Sequence, residues 1–345
     1  MDLFSFRLHC SSVNARIGCI LGLSRIPYIS AGDANGAETH TCHGGTGFIG
    51  SHVCLHLLLQ GYRVLILDDL SNSDARALSK IERLTNRQVD FVEGDIRDES
   101  LLTWLFSQSG FSAVMHLAGM KAGQDAAGDP LAYYDVNVCG STRLINAMRN
   151  GGCRSVIFSS SSAVCGDVSL RPFAEKSPAA QAHFYARTAL AVENLLADVC
   201  ASEGGWKAIC LRYINPVGAD YGGMPAECLP KTPSNLLPLA AQAAPGATDK
   251  LQILEHDYPA NGRNSASNCV TDVALAHIAA VKLALNKSAA QFKAMSQSGW
   301  LALNLGMGSA HGLEVAEMWV RGAGKSIPRE TSGKRAADAP HLIGI

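Results

Sequence analysis

A chain of 345 residues that is 47% hydrophobic and 17% charged has the composition of a folded protein with a large core, not of a disordered one. Its formal net charge of −1 gives no electrostatic handle for nucleic acid or an anionic membrane surface, and no apolar run approaches the roughly 20 residues that span a bilayer. Eleven cysteines are scattered without one C-x-x-C pair, which argues against a metal site or disulfide framework and for reduced thiols in the cytoplasm.

Residues 1–40 carry Arg7, Arg16 and Arg25 among several serines and few acids. Transit peptides share that composition, but no periodicity ties the segment to a core, so a poorly ordered extension is expected. Residues 38–43 (ETHTCH) are polar where a buried first strand should be apolar, and that strand is expected to be lost. From residue 44 onward strand and helix signals alternate. RVLILDD at 63–69, VDFVEGD at 89–95, AVMHLAG at 113–119, SVIFSSS at 155–161 and KAICLRY at 207–213 are short apolar runs closed by glycine or polar residues. They read as buried parallel strands. Amphipathic stretches at 131–149 and 184–201 separate some of them at helical length.

Such βαβ alternation predicts an α/β protein with a doubly wound, mostly parallel Rossmann-type sheet that binds ligands at its carboxyl edge. The nucleotide-binding domain is expected over 41–214. A smaller substrate lobe, short at its C-terminus, is expected over 215–345. Within that lobe the pattern predicts helices at 235–244, at 270–285 and from Glu314, with strands at 251–254 and 301–305.

The segment Gly44-Gly45-Thr46-Gly47-Phe48-Ile49-Gly50 opens a helix predicted to reach Leu59. Glycines let a backbone turn tightly against a pyrophosphate, whose charge then sits at the positive helix N-terminus. Asp68 ends the next strand 18 residues beyond Gly50, where a carboxylate can bond adenosine ribose hydroxyls and repel a 2′-phosphate. The cofactor indicated is NAD.

Longer strings carry a family resemblance over roughly residues 44–340. GGTGFIGSH at 44–52, ILDDLSNS at 66–73, FVEGDIRD at 91–98, HLAGMKA at 116–122, DPLAYYDVNVCGS at 129–141 and IFSSSSAVCGD at 157–167 resemble the cofactor half of UDP-glucose (UDP-galactose) 4-epimerases, in the extended short-chain dehydrogenase/reductase superfamily. LRYINPVGA at 211–219, SNLLP at 234–238, LQILEHDYP at 251–259 and NLGMG at 304–308 are similar to their nucleotide-sugar segments.

The resemblance implies that Gly44, Gly47, Phe48, Ile49, Gly50, Asp68, Asn72 and Ser73 hold NAD from one side. It implies the same for Asp95, Ile96, Leu117, Ala118, Lys121 and Asn137 from the other, with Asn215, Asn235 and Leu236 holding the UDP-sugar. Ser161 and Tyr185 match the family's catalytic Ser/Thr and Tyr. In such enzymes the tyrosine takes the 4-hydroxyl proton while C4 passes a hydride to NAD, and the 4-keto sugar turns over before the hydride returns.

The chain departs from the pattern at a telling place. The family's Tyr-x-x-x-Lys reads Tyr185-Ala186-Arg187-Thr188-Ala189. The i+4 lysine would share a helix face with the tyrosine and favour its phenolate, and Arg187 at i+2 lies about 200° round the helix. The family's R-D-Y reads Ser265-Ala266-Ser267, with Arg263 two residues away, and Cys165 stands where the family usually has tyrosine. The expectation is a nucleotide-sugar epimerase of impaired turnover that uses NAD and a UDP-sugar and no metal, with a homodimer compatible. The alternative is a non-catalytic NAD- and nucleotide-sugar-binding relative.

Overall fold

The computed structural model describes residues 8–9, 39–108, 110–121, 129–165, 184–214, 216–218, 251–253, 268–285, 292, 296, 298–305 and 329–331. Each apolar run expected to be a strand of the nucleotide-binding half forms one, and all enter a single sheet. In chain order its strands are β1 (Leu8–His9), β2 (Thr39–His43), β3 (Arg63–Asp68), β4 (Asp90–Glu93), β5 (Ala113–His116), β6 (Ser155–Ser161), β7 (Lys207–Tyr213) and β9 (Trp300–Asn304). The spatial order is β1-β4-β3-β2-β5-β6-β7-β9. Every pair is parallel except β1 with β4. β8 (Leu251–Ile253) and β10 (Arg329–Thr331) form a separate parallel pair.

The sequence expectation for the first strand is corrected. Thr39–His43 lies at the centre of the sheet, in register from Thr39↔Arg63 to His43↔Leu67 on one side and from His40↔Ala113 to His43↔His116 on the other. Both neighbours are fully buried apolar segments, Leu65–Leu67 and Ala113–Met115. Threonine suits a pleated strand, and the two ladders satisfy the backbone whatever the side chains are, so the flanks compensate for a polar sequence. The expected disordered extension over 1–40 also has two described exceptions, Leu8–His9 and the first residues of β2.

Helices cover both faces. α1 (Phe48–Leu59), α2 (Arg76–Thr85) and α7 (Val270–Leu285) bury Val53, Leu57, Ile81, Val273 and Ile278 against one face. α3 (Glu99–Gln108), α5 (Ser141–Asn150) and α6 (Phe184–Ser202) bury Leu102, Leu105, Leu144, Met148 and Leu196 against the other. α1 is apolar nearly all round because it is sandwiched between the sheet and α7, leaving little of its surface to water. The predicted 131–149 helix is three segments end to end: α4 (Pro130–Tyr133), a π-helical stretch Tyr134–Gly140, and α5. Asp129 starts it, accepting from the Ala132 amide at 3.1 Å with Pro130 at the first helical position.

The sheet does not stop at residue 214. β9 pairs with β7, and α7 packs on α1, so parts of the expected 215–345 lobe complete the nucleotide-binding core. A bare outer β7 and an uncovered α1 would otherwise expose apolar surface. The helices expected at 235–244 and from Glu314 lie outside the described residues. Among the described residues no helix is long and apolar enough to cross a membrane.

Candidate active site

The sheet reverses its winding between β2 and β5, and the loops leaving those strands meet there. Gly44, just after β2, has φ +78°, and a side-chain carbon at this position would sit 2.7 Å from the Ala118 backbone nitrogen and 2.9 Å from the Leu117 carbonyl carbon. Only glycine permits that conformation and that approach together. A side chain on Gly50 would fall on the Gly44 carbonyl oxygen, so the turn closes on the first turn of α1. Gly47 caps α1 without any side-chain bond, and no acidic residue stands in the first turn. Phe48 and Ile49 begin the helix. The helix's positive end therefore opens toward the crevice.

Asp68, at the end of β3 and 6% exposed, ties the walls of this turn together. Its carboxylate accepts from the Thr46 amide at 3.0 Å, the Leu70 amide at 3.1 Å and the Ser73 hydroxyl at 2.7 Å. Thr46 in turn donates to Ser73 at 2.8 Å. Asn72 beside it is exposed. A carboxylate offers about four acceptor positions, and the three used leave room for a ribose hydroxyl. Beyond β4, Ile96 is buried in the core. Asp95 accepts from Arg97 Nε at 2.9 Å, and Arg97 reaches on to Asp135 at 2.7 Å. The Arg97 guanidinium holds the Asp95 carboxyl below the usual carboxylate range.

The loop after β5 supplies Leu117, Ala118 and Lys121. The Lys121 carbonyl accepts from the Tyr133 hydroxyl at 2.6 Å. Asn137, in the π-helical stretch, is bonded through its amide oxygen to the Met120 backbone nitrogen at 2.8 Å.

Ser161, the last residue of β6, and Tyr185, in the first turn of α6, come together. Burial pushes the Tyr185 phenol up from its ordinary value, the Ser161 hydroxyl bonded to it pulls it partly back, and Tyr133 nearby pushes it further up. Ala189, one turn on, is 6% exposed and packs with Val164, Cys165 and Ile214, while Arg187 faces outward. The next residue on that face is Glu193, paired in the interior with Arg212: Nε to Oε1 is 2.9 Å. Ser160 donates to the same carboxylate at 2.5 Å, and Arg212 touches the Cys165 sulfur at 3.8 Å. This guanidinium is already committed to a carboxylate, so its charge is largely spent.

Of the residues expected to hold NAD, Gly44 meets Leu117 and Ala118, Gly50 closes on Gly44, and Asp68 bonds the Thr46 amide, while Ser161 and Tyr185, expected to act together, bond each other. Asn215, Asn235 and Leu236 lie outside the described residues. Sequence reasoning missed Thr46, Thr188 and Asn268. Asn268 is 3% exposed, accepts from the Ile214 amide at 2.7 Å and donates to the Leu305 carbonyl at 3.2 Å, fixing the chain just ahead of Asn215. An asparagine at the mouth of an otherwise apolar helix was the available signal. Among the described residues no group of three or more His, Cys, Asp or Glu could hold a metal ion.

Comparison with known proteins bears on the same region. Residues 42–287 match the family model described as the NAD dependent epimerase/dehydratase family. The chain is 34% identical over 298 residues to the UDP-glucose 4-epimerase of Bacillus subtilis (strain 168), covering 86% of this chain and 85% of that one. It is 36% identical over 299 residues to the enzyme of the same name from Neisseria meningitidis serogroup B, with 86% and 85% covered. Among solved structures, UDP-glucose 4-epimerase from Bifidobacterium longum in complex with NAD+ and UDP superposes with a TM-score of 0.81 at 31% identity, covering 89% of this chain and 90% of that one. The enzyme from Stenotrophomonas maltophila, with bound NAD and formylated UDP-arabinopyranose, gives 0.78 at 37% identity, covering 87% and 88%.

Proposed function

The chain belongs to the NAD dependent epimerase/dehydratase family, and from that premise we propose that it interconverts UDP-galactose and UDP-glucose through a 4-keto intermediate, with turnover impaired by the alanine at position 189. The observation that carries the reading is the bond between Tyr185 and Ser161, in a chain whose glycine turn after β2 is closed by the Asp68 carboxylate. The crevice fits NAD. Gly44 and Gly50 leave the space that side-chain carbons would fill, the N-terminus of α1 receives the pyrophosphate, and Asp68 has an acceptor position left for a ribose hydroxyl. NAD+ held there would supply a hydride acceptor for C4 of the sugar and, once reduced, a hydride donor for the 4-keto form.

This chain's residues handle the proton. Tyr185 takes the 4-hydroxyl proton, and Ser161 orients that hydroxyl and the phenol together. A tyrosine of ordinary pKa is ionised in roughly one molecule per thousand at pH 7, and burial makes this phenol harder still to ionise. The missing lysine charge is therefore the weak point of the site. The free thiols, all eight of the described cysteines, suit the reducing cytoplasm in which we place the protein.

Asp68 makes the first test one of cofactor choice. NAD is expected to bind at least about tenfold more tightly than NADP, because a 2′-phosphate would meet the carboxylate. Titration calorimetry on the purified chain measures both. Tight NADP binding with no NAD binding overturns the assignment. A second reading, a protein that binds NAD and nucleotide sugar without turning them over, is favoured by the apolar surroundings of Ala189. NAD and UDP binding with no epimerisation would select it.

A further inference from the structure

The amide of Asn137 is fully engaged with protein groups. Its oxygen accepts from the Met120 backbone nitrogen at 2.8 Å, and its nitrogen donates to the Met120 carbonyl at 3.0 Å and to the Thr188 hydroxyl at 3.1 Å. Both N–H groups are used, and the two bonds to Met120 fix which way the amide faces. Thr188 is fully buried and donates its own hydrogen to the Tyr185 carbonyl at 2.8 Å. A threonine bonding back to the carbonyl three residues earlier is ordinary helix behaviour. What sets this one apart is that its oxygen also accepts from another element. The link reaches it because Asn137 sits in the π-helical stretch, where an altered turn re-aims a side chain that a regular helix would place elsewhere.

We propose that Thr188 is a positioning residue: through Asn137 its hydroxyl ties the main chain at Tyr185 to the main chain at Met120, so that the proton-accepting helix and the cofactor-side loop hold a fixed spacing. The proposal rests on the epimerase reading above. It recasts Asn137 as a bracket acting on the loop that carries Leu117, Ala118 and Lys121, since neither of its donors is left for a ligand. Hydride and proton leave the same sugar carbon and its oxygen, so phenol and cofactor must be placed relative to each other. Errors of about 1 Å in such placement can cost on the order of 100-fold in rate.

The test uses the full chain, as Thr188→Val, Thr188→Ser and Asn137→Asp. Valine keeps the shape and removes the hydroxyl, serine restores it, and aspartate keeps the acceptor for Met120 while losing both donors. The first readout is amide hydrogen exchange. Thr188→Val and Asn137→Asp are expected to speed exchange both in the peptide covering 113–121 and in that covering 184–190, with serine at the parent level. A Thr188→Val change confined to 184–190 overturns the coupling. Should the valine variant not fold, Asn137→Asp carries the same comparison.

The second readout is coupled turnover of UDP-galactose, measured in the parent and in the Ala189→Lys chain. The valine substitution is expected to lower kcat about tenfold with KM within about twofold, and serine to recover it to within about twofold. Unchanged kcat, or a fall that serine does not repair, overturns the positioning role. If neither chain turns over UDP-galactose, the epimerase reading fails, while the exchange measurement still decides the coupling by itself.

Discussion

Ala189→Lys is expected to raise turnover of UDP-galactose to UDP-glucose by about 100-fold or more, with the activity optimum moving to lower pH. The gain follows from the state of the Tyr185 phenol. Burial holds it protonated and Ser161 offsets that only in part, so the base required at neutral pH is scarce. Position 189 lies on the phenol's own helix face, one turn along, and its present neighbours Val164, Cys165 and Ile214 are apolar. The stem of a lysine can lie along these groups while its ammonium reaches the crevice. A cation near a phenol favours the phenolate, and general-base catalysis of this kind is worth roughly 10²–10⁴ in rate.

Arg212 does not supply that charge in the parent because Glu193 neutralises it inside the core. Tyr185→Phe in the lysine background is expected to abolish the gain. Steady-state assays on the three chains across pH 6–9 check this. A parent as fast as the lysine variant would show that Tyr185 is ionised by some other group and that the alanine costs nothing.

Acidification is expected to weaken the fold through two histidines. His116 ends β5, 1% exposed, with Nε2 2.7 Å from the Ser141 hydroxyl; His277 lies wholly inside α7 with Nδ1 donating to the Val273 carbonyl at 2.8 Å. Burial pushes each down to about 4 from an ordinary value of 6.5. The unfolded chain takes up these protons as the pH falls below about 6.5, and the folded chain refuses them until about 4. Stability is therefore intact above about 6.5 and lost between 6.5 and 4. Each histidine should cost about 2 kcal/mol between pH 7 and 4.5.

Asp90 works the other way. Burial pushes it up to about 7, with Arg63 pulling it partly back, so the folded chain keeps a proton that the unfolded chain releases and gains stability as the pH falls toward 3.8. The net loss is accordingly less than the two histidines alone would give. Urea denaturation of His116→Gln and His277→Gln at pH 7 and 4.5 isolates each contribution: either variant should lose about 2 kcal/mol less than the parent over that interval. Stability curves that run parallel to the parent's would show that these rings do not titrate on unfolding.

Much of this was legible in the sequence, for reasons visible in particular residues. β3, β5, β6 and β7 follow apolar runs that only a buried parallel strand explains, and α1 follows from glycines placed ahead of an apolar dozen. The first strand was not legible, because its pairing is decided by β3 and β5 and by none of its own side chains. Nor was the return of α7 and β9 to the core, since an apolar helix carries no mark of which sheet face it will cover. At the site, Gly44 and Asp68 stood in a glycine loop and a strand end whose spacing points to a dinucleotide, whereas Ser161 and Tyr185 were picked out only through the family resemblance. Thr188 was marked by neither. Its partner Asn137 lies 51 residues away, and the π-helical turn that brings them together leaves no trace in the hydrophobic periodicity.

The polar composition of the central strand bears on how the chain is made. β5 begins 70 residues after β2 ends, which at roughly 5–20 residues per second of synthesis is a wait of several seconds. During that time β2 can pair with β3 but has an open edge on its other side, the kind of edge that recruits foreign strands. An apolar segment there would be adhesive for the whole interval. Thr-His-Thr-Cys-His offers little apolar surface to a stray partner and closes only when its own neighbour emerges, so the sequence that makes this strand hard to recognise also keeps the nascent chain from sticking to its neighbours.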